Sequence, residues 1–189
     1  MNHLQFRVSA GTLAVTWNSD GRFTRVDWYD SAAPAGDSPG WSAIGRIEIP
    51  AALGDVMQRL RSYFITGEPI GPLPWELLDF RGCSEFQIAV YRAICLIPHG
   101  ETRTYAWVAR RIGKFSPRAV GQALKRNPFP IIVPCHRVVG TGDALGGFMG
   151  STDPDQPELR LKKWLLELEN CYLNPPFSFL TPQLQFSTA

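Results

Sequence analysis

Between Thr102 and Gly142 the chain contains no aspartate and no glutamate, yet Arg103, Arg110, Arg111, Lys114, Arg118, Lys125, Arg126 and Arg137 all fall in that stretch. Those eight leave 11 of the 19 basic residues to face 17 acidic ones elsewhere, so the net charge of +2 hides a polarised chain. A basic block of this kind is either a solvated face or a phosphate-binding footprint. Cysteine is scarce and scattered. Cys83, Cys95, Cys135 and Cys171 have no C-x-x-C spacing and no secretory context, which argues against a disulfide framework or a zinc cage and leaves them as reduced thiols. No apolar run approaches the ~20 residues of a membrane span. The start Met1-Asn2-His3-Leu4-Gln5 lacks the basic-then-apolar layout of a signal peptide, so a cytoplasmic protein is expected. The glycine-rich stretch Gly140 to Gly150 has neither the spacing nor the lysine of a phosphate-binding loop, and no nucleotide or other cofactor and no metal is implied.

What is present is enough apolar material for a core. Hydrophobic residues make up 44% and aromatics 12% of 189 residues, which excludes disorder as the main state and allows one domain or two small ones. Leu4 to Val8 and Thr12 to Trp17 alternate in polarity, and the turn signal Asn18-Ser19-Asp20-Gly21 leads into Phe23 to Trp28, so a β-meander is predicted. Ser31 to Gly40 reads as a surface loop. Leu53, Val56, Met57, Leu60, Tyr63 and Phe64 recur at helical spacing between Pro50 and Ile65, predicting one amphipathic helix against the sheet. Gly67 to Pro74 is the expected boundary, with a short strand around Leu77 to Phe80 still able to join the first sheet. The expected organisation is an α+β unit over 1–74, a mostly helical unit over 75–173 and a tail over 174–189 whose Phe177, Phe179 and Phe186 show no periodicity.

In the second unit, Ser84 to Ile97 predicts a helix with Phe86, Ile88, Ala89, Tyr91, Ile94 and a core Cys95 on one stripe. Two short helices follow, Thr104 to Ile112 and Ser116 to Arg126, around Gly113-Lys114-Phe115; Ser116 suits an N-cap and Pro117 the first helical position. A short helix, a tight turn and a basic second helix form a helix-turn-helix pattern that any compact helical hairpin also shares. Ala119, Gly121 and Ala123 leave that second helix with little bulk, and glycine inside a helix costs roughly 1 kcal/mol relative to alanine. Either another helix or a nucleic-acid groove comes close to its backbone. The apolar run Ile131-Ile132-Val133 reads as a buried strand leading to Pro134-Cys135-His136-Arg137-Val138. A cysteine held there before histidine and arginine has the local chemistry of a lowered-pKa thiolate, although a lone cysteine is as often a small buried hydrophobe. Leu159 to Leu168 is then an amphipathic helix with Leu161, Trp164, Leu165 and Leu168 inward, and Cys171 beyond it is structural.

With Asn127-Pro128-Phe129-Pro130 upstream, the Pro134 to Val138 run resembles the active-site segment of the DNA-repair alkyltransferases that remove alkyl groups from guanine O6. The resemblance covers roughly residues 81–172. It implies a ribonuclease-H-like N-terminal sheet with a helix, a helical C-terminal domain whose helix-turn-helix enters the DNA minor groove, and a monomer that acts once. By the same resemblance Cys135 accepts the alkyl group, His136 acts as base through a bridging water, Glu169 orients His136, Tyr105 donates a proton or hydrogen bond to the guanine, and Asn127 braces the cysteine loop. Arg118 takes the place of the flipped nucleotide. Ala119, Gly121, Ala123, Lys125 and Arg126 face double-stranded DNA, while Pro130, Val138, Phe148, Met149 and Gly150 surround the alkylated base. Read without the family, Tyr105 is a core aromatic, Asn127 a helix C-cap, Glu169 a solvated residue and Arg118 a phosphate contact.

This chain departs from the family pattern twice. Phe148 stands where tyrosine is usual, and the stretch between Phe148 and Trp164, with Asp153-Pro154-Asp155-Gln156-Pro157, is longer than usual. That loop is expected to form one wall of the alkyl pocket, which leaves the tolerated alkyl size open. A non-catalytic lesion sensor on the same scaffold and a cysteine hydrolase are the competing functions. Cys135 itself argues against the first. Against the second stands its adjacency to His136, which hinders a direct thiolate–imidazole pair.

Overall fold

The computed structural model of the protein describes residues 2–8, 10–30, 40–43, 48–142 and 144–169. Cys171, the tail 174–189, Asp143 and positions 31–39 of the expected surface loop lie outside the described residues.

Strands β1 (Asn2–Val8), β2 (Gly11–Trp17) and β3 (Phe23–Tyr29) form the meander, and the short β4 (Gly40–Ala43) adds to the outer edge of β1, giving an antiparallel order β3-β2-β1-β4. The register places Leu4 opposite Val15 and Phe6 opposite Leu13. Leu4, Phe6 and Val8 therefore point to the core while Arg7 is exposed, the period-2 pattern of a half-buried strand. Asn18 makes the β2–β3 turn by accepting the backbone N–H groups of Asp20 and Arg22 on its Oδ1, both at 3.0 Å. β4 has no clear signal in the sequence: Gly40 falls in the expected loop, and four residues are too few to display alternation.

Helix α1 (Ala51–Thr66) lies on this sheet with Leu53, Val56, Met57, Leu60, Tyr63 and Phe64 buried. It ends at Gly67, whose left-handed φ of 74° lets its N–H reach the Tyr63 carbonyl at 2.9 Å. The strand expected around Leu77 to Phe80 is instead a 3₁₀ turn, Trp75–Leu77, followed by one parallel bridge between Leu78 and Phe23. The Asp79 N–H donating to the Phe23 carbonyl at 2.8 Å is the ladder bond it makes.

Helix α2 (Glu85–Ile94) starts at a capping box in which Ser84 and Gln87 satisfy each other's backbone N–H groups. Tyr91 and Ile94 take its inward positions, so Cys95 caps the helix end and is exposed, contrary to the expected core placement. Helices α3 (Tyr105–Arg111) and α4 (Pro117–Lys125) are capped by Thr104 and Ser116. A two-residue parallel pair joins β5 (Arg103–Thr104) to β6 (Val138–Val139). Helix α5 (Pro157–Leu168) closes the described chain.

One contiguous buried cluster runs from Leu4 to Leu165 through both halves. Trp164 of α5 stacks on Phe64 of α1 at 6.0 Å, and the Val26 N–H of β3 donates to the Pro128 carbonyl at 2.8 Å. The sheet and α1 thus brace the segment that carries the cysteine. No helix among the described residues is long and apolar enough to cross a membrane.

Candidate active site

The segment before Cys135 is a sequence of tight turns rather than the expected strand. Ile131 takes a left-handed φ of 74°, rare for a β-branched residue, and the Val133 N–H returns to the Phe129 carbonyl at 2.8 Å. Pro134, at φ −78° and ψ 63°, is the centre of an inverse γ-turn closed by the Cys135 N–H on the Val133 carbonyl at 2.7 Å. Prolines at 128, 130 and 134 remove the ladder donors that a strand would need, which is why the apolar run folds on itself. Asn127 ties this knot. Its Nδ2 donates to the Val133 carbonyl at 3.0 Å and lies 3.2 Å from Cys135 Sγ, while its Oδ1 accepts the Phe129 N–H at 3.0 Å.

The 3₁₀ turn Cys135–Arg137 sends the next two side chains the other way, onto Glu169 just past the end of α5. His136 Nε2 is 2.8 Å from Glu169 Oε1, and Arg137 donates from Nε to Oε2 at 2.8 Å and from Nη2 to Oε1 at 3.0 Å. Tyr63 of α1 donates its hydroxyl to the same Oε1 at 2.8 Å, and the Gly100 N–H reaches Oε2 at 3.4 Å. Burial works to raise the Glu169 pKa, but the hydrogen bond from His136 and the hydrogen bonds and charge of Arg137 hold it well below the usual carboxylate range. An ionised carboxylate only accepts, so His136 carries its proton on Nε2 and presents Nδ1, which is buried and has no hydrogen-bond partner among the described residues. Burial pushes the His136 pKa down against the pull of Glu169, keeping the ring neutral.

Cys135 is only 3% exposed, and burial raises its pKa although Asn127 and the charge of Lys162 pull the other way. The lowered pKa expected from the sequence is therefore not what the fold produces: the neighbouring histidine is neutral and the thiol itself is buried. The thiol needs a base when it reacts.

Lys162 is the residue that sequence reasoning missed. It sits on the apolar side of α5 at 0% exposure, and its Nζ donates to the carbonyls of Val138 and Leu145, both at 2.6 Å, and of Gly147 at 3.1 Å. Burial pulls its pKa down to about 7. The cage favours the ammonium nonetheless, because three acceptors match three N–H bonds while a neutral amine would turn its lone pair on one carbonyl. The one signal in the sequence was a charged residue beside Leu161 on a helix face otherwise buried through Leu159, Leu161, Leu165 and Leu166.

Cys135 lies on the wall of a cavity of about 500 Å³ between α4 and the glycine-rich loop. Phe148, Met149 and Gly150 line it, as do Tyr105, Arg118, Gly121 and Lys125. Of the other residues assigned to the base pocket, Pro130 is buried elsewhere and the Val138 carbonyl is already held by Lys162, and neither lines this cavity. Tyr105 donates its hydroxyl to the Gly147 carbonyl at 2.9 Å, and its pKa is pushed up to about 12 by burial, so it keeps its proton at neutral pH. On α4 and at Arg126 just past its end, Arg118, Lys125 and Arg126 are exposed and Ala119 and Gly121 half-buried. Ala123 is 3% exposed and does not face outward: its small side chain admits α2, whose Tyr91 hydroxyl donates to the Ala123 carbonyl at 3.0 Å. Ser151 and Thr152 reach the cavity, but the long loop's Asp153 to Pro157 stays off it and folds on itself, with Asp155 N–H on Asp153 Oδ1 at 3.0 Å.

A basic helix-turn-helix opening on a cavity with a thiol in its wall, backed by a buried carboxylate–imidazole pair, defines a nucleic-acid-type scaffold with a built-in nucleophile. The chain belongs to the family of methylated-DNA–protein-cysteine methyltransferases. Residues 85–171 match the family model of the 6-O-methylguanine DNA methyltransferase DNA-binding domain. A relative of that name from Mycolicibacterium paratuberculosis is 44% identical over 123 residues, covering 65% of this chain and 72% of the relative. One from Methanothermobacter thermautotrophicus is 45% identical over 97 residues, and the match spans about half of each protein, 51%. Among solved structures, the Mycobacterium tuberculosis OGT in complex with DNA superposes with a TM-score of 0.65 at 30% identity, covering 88% of this chain and 91% of that one. The O6-methylguanine-DNA methyltransferase of Pyrococcus kodakaraensis gives 0.57 at 26% identity, covering 88% and 98%.

Proposed function

We propose that the protein repairs DNA by moving an alkyl group from guanine O6 to Cys135 Sγ, once per molecule. The observation that carries this reading is the placement of the Cys135 thiol on a cavity that opens beside the basic helix α4. In the transfer the S–C bond forms as the C–O6 bond breaks. The thiol proton leaves toward His136 Nδ1, the nitrogen not committed to Glu169, through a bridging water as in the family. The departing guanine is neutralised by a proton or hydrogen bond from Tyr105, which this buried phenol still carries at neutral pH. Glu169 stabilises the imidazolium that forms, and Arg137 and Tyr63 keep the carboxylate in place. The thioether is stable and no second nucleophile adjoins Cys135 among the described residues, so the product is the spent protein.

Double-stranded DNA carrying O6-alkylguanine is the partner in this reading, bound through its minor groove by α4 of a monomer. Arg118, exposed at the mouth of the cavity, would hold the gap left by the flipped nucleotide. The division into a supporting unit over 1–74 and a DNA-binding, alkyl-accepting unit over 75–173 belongs to the same proposal. So does a cytoplasmic location, which suits the free thiols Cys83, Cys95 and Cys135.

Intact-mass spectrometry after incubation with a duplex containing O6-methylguanine tests the proposal. One methyl group on Cys135, with no further uptake, is the expected result. A protein that binds but gains no mass is a sensor, and one that releases product repeatedly is a hydrolase; either outcome overturns the reading.

A further inference from the structure

Glu169 has a second histidine beside it. The Pro98-His99-Gly100 turn is fastened to the end of α5, since Gly100 donates its N–H to Glu169 Oε2 at 3.4 Å and a side chain at Gly100 would come within 3.1 Å of the Glu169 carbonyl oxygen. That turn places His99 Nδ1 3.8 Å from Glu169 Oε1. Nδ1 is buried and has no hydrogen-bond partner among the described residues, while the ring stands edge-on to Tyr63 at 6.2 Å. The His99 side chain is 20% exposed and lines a cavity of about 860 Å³ on the opposite side of the cysteine loop from the 500 Å³ one. His99 is therefore open to solvent on one edge and faces the catalytic carboxylate on the other.

We propose that His99 is a positioning residue that makes alkyl transfer respond to pH through Glu169. The inference rests on the alkyl-transfer reading above. Oε1 already accepts from His136, Tyr63 and Arg137, so an imidazolium at His99 becomes a fourth donor competing for one oxygen. It draws the carboxylate away from His136 and adds a positive charge near the ring that must take the thiol proton, and both effects weaken the base. Among the described residues, the charged and titratable groups around His99 are Tyr63 from α1, Glu169 after α5, His136 and Arg137 of the 3₁₀ turn, and Arg92, Cys95 and Arg111 on the wall of the larger cavity. Only Glu169 among these is acidic, so it is the group on which a charge at position 99 acts.

The test uses the full chain and a duplex with O6-methylguanine, reading single-turnover methyl transfer to Cys135 across pH. His99→Gln keeps a polar side chain that never charges, and His99→Lys is charged throughout the range. Between about pH 8 and about pH 5.5, where histidines change charge, the ratio of the Gln variant's rate to that of the unmodified protein should rise about three- to tenfold. The Lys variant should be the slowest at the alkaline end, with the unmodified protein approaching it in acid. A ratio that stays constant with pH for both variants overturns the proposal, as does a Lys variant as fast as the Gln variant at the alkaline end, since a merely structural His99 gives both results. If the unmodified protein transfers no methyl group at any pH, the alkyl-transfer reading has failed instead, and the pH shift of the His136 ring resonances in the three proteins, followed by NMR, still decides whether position 99 governs His136. Identical His136 titrations would then refute the inference.

Discussion

Two cations serve the smaller cavity in different ways. Lys162, enclosed at the back, holds the carbonyls of Val138, Leu145 and Gly147 together and so joins the strand after the cysteine turn to the glycine-rich loop. Lys162→Met fills the same space but strips the ammonium from three buried carbonyls, of which Gly147 keeps its bond from Tyr105, and chemical denaturation at pH 7 should register a loss of about 2–4 kcal/mol. A variant as stable as the original would mean that the cost of burying the ammonium outweighs its bonds. Arg118, exposed at the front, makes no structural bond of this kind among the described residues. If its guanidinium fills the gap of a flipped base, Arg118→Ala should slow methyl transfer from saturating duplex by one to three powers of ten, at ~1.4 kcal/mol per tenfold, and spare reaction with free O6-methylguanine. A phosphate contact alone would lower the salt slope of binding by about one unit and leave the saturated rate near normal.

At the scale of elements, the cavity exists because the glycine-rich loop lies close against α3. Gly146 has a φ of 70°, and a Cβ there would sit 2.9 Å from the Tyr105 ring and 3.1 Å from the Gly140 nitrogen. Gly146→Ala therefore has to push the loop off Tyr105, which breaks the Tyr105–Gly147 bond and misplaces the phenol. The expected outcome is a stability loss of about 1–3 kcal/mol and transfer at least tenfold slower, with duplex affinity, which the proposal assigns to α4, little changed. Fluorescence-detected denaturation and single-turnover rates on the same preparation check both parts. The glycines of α4 and of the loop thus differ in purpose, since a Cβ at Gly121 would meet Tyr105 at an ordinary 3.8 Å.

Across the whole molecule, Glu169 joins the sheet and α1 to the turn that carries Cys135, because Tyr63 of α1, Arg137 and His136 all meet on it. Its folded pKa lies below its unfolded value, so it contributes stability that is complete above about pH 5 and is lost as pH falls through the folded value. His136, also depressed, adds to stability above its unfolded value near pH 6.5 and loses that contribution as acid charges it. Unfolding free energy should therefore decline below about pH 6.5 and more steeply below about pH 4. Glu169→Gln should remove part of the steeper acid limb and cost about 3–5 kcal/mol at pH 7, since Arg137 is left half-buried without its partner. Denaturation series at stepped pH measure both slopes; a parallel decline for the variant would show that other carboxylates dominate.

The local pattern alone was sufficient for the meander, for α1 and for the capped helices α2 to α4, because alternation, helical spacing and Ser or Thr caps are properties of neighbours in the chain. It also singled out Pro134 to Val138 and the charge asymmetry over 102–142, since residue identity is enough for both. Only the tertiary structure decided the rest. Whether Ile131 to Val133 extends or turns depends on where prolines leave hydrogen-bond donors and on Asn127 closing the knot. Cys95 and Ala123 exchanged their expected exposures because helix packing, not hydrophobicity, chooses which face turns inward. Cys135 has a raised rather than a lowered pKa because desolvation is set by everything folded around it, and adjacent His136 aims at a carboxylate 33 residues away instead. Lys162 and His99, distant in the chain and ordinary in composition, acquire their roles only because the fold surrounds one with carbonyls and sets the other beside Glu169.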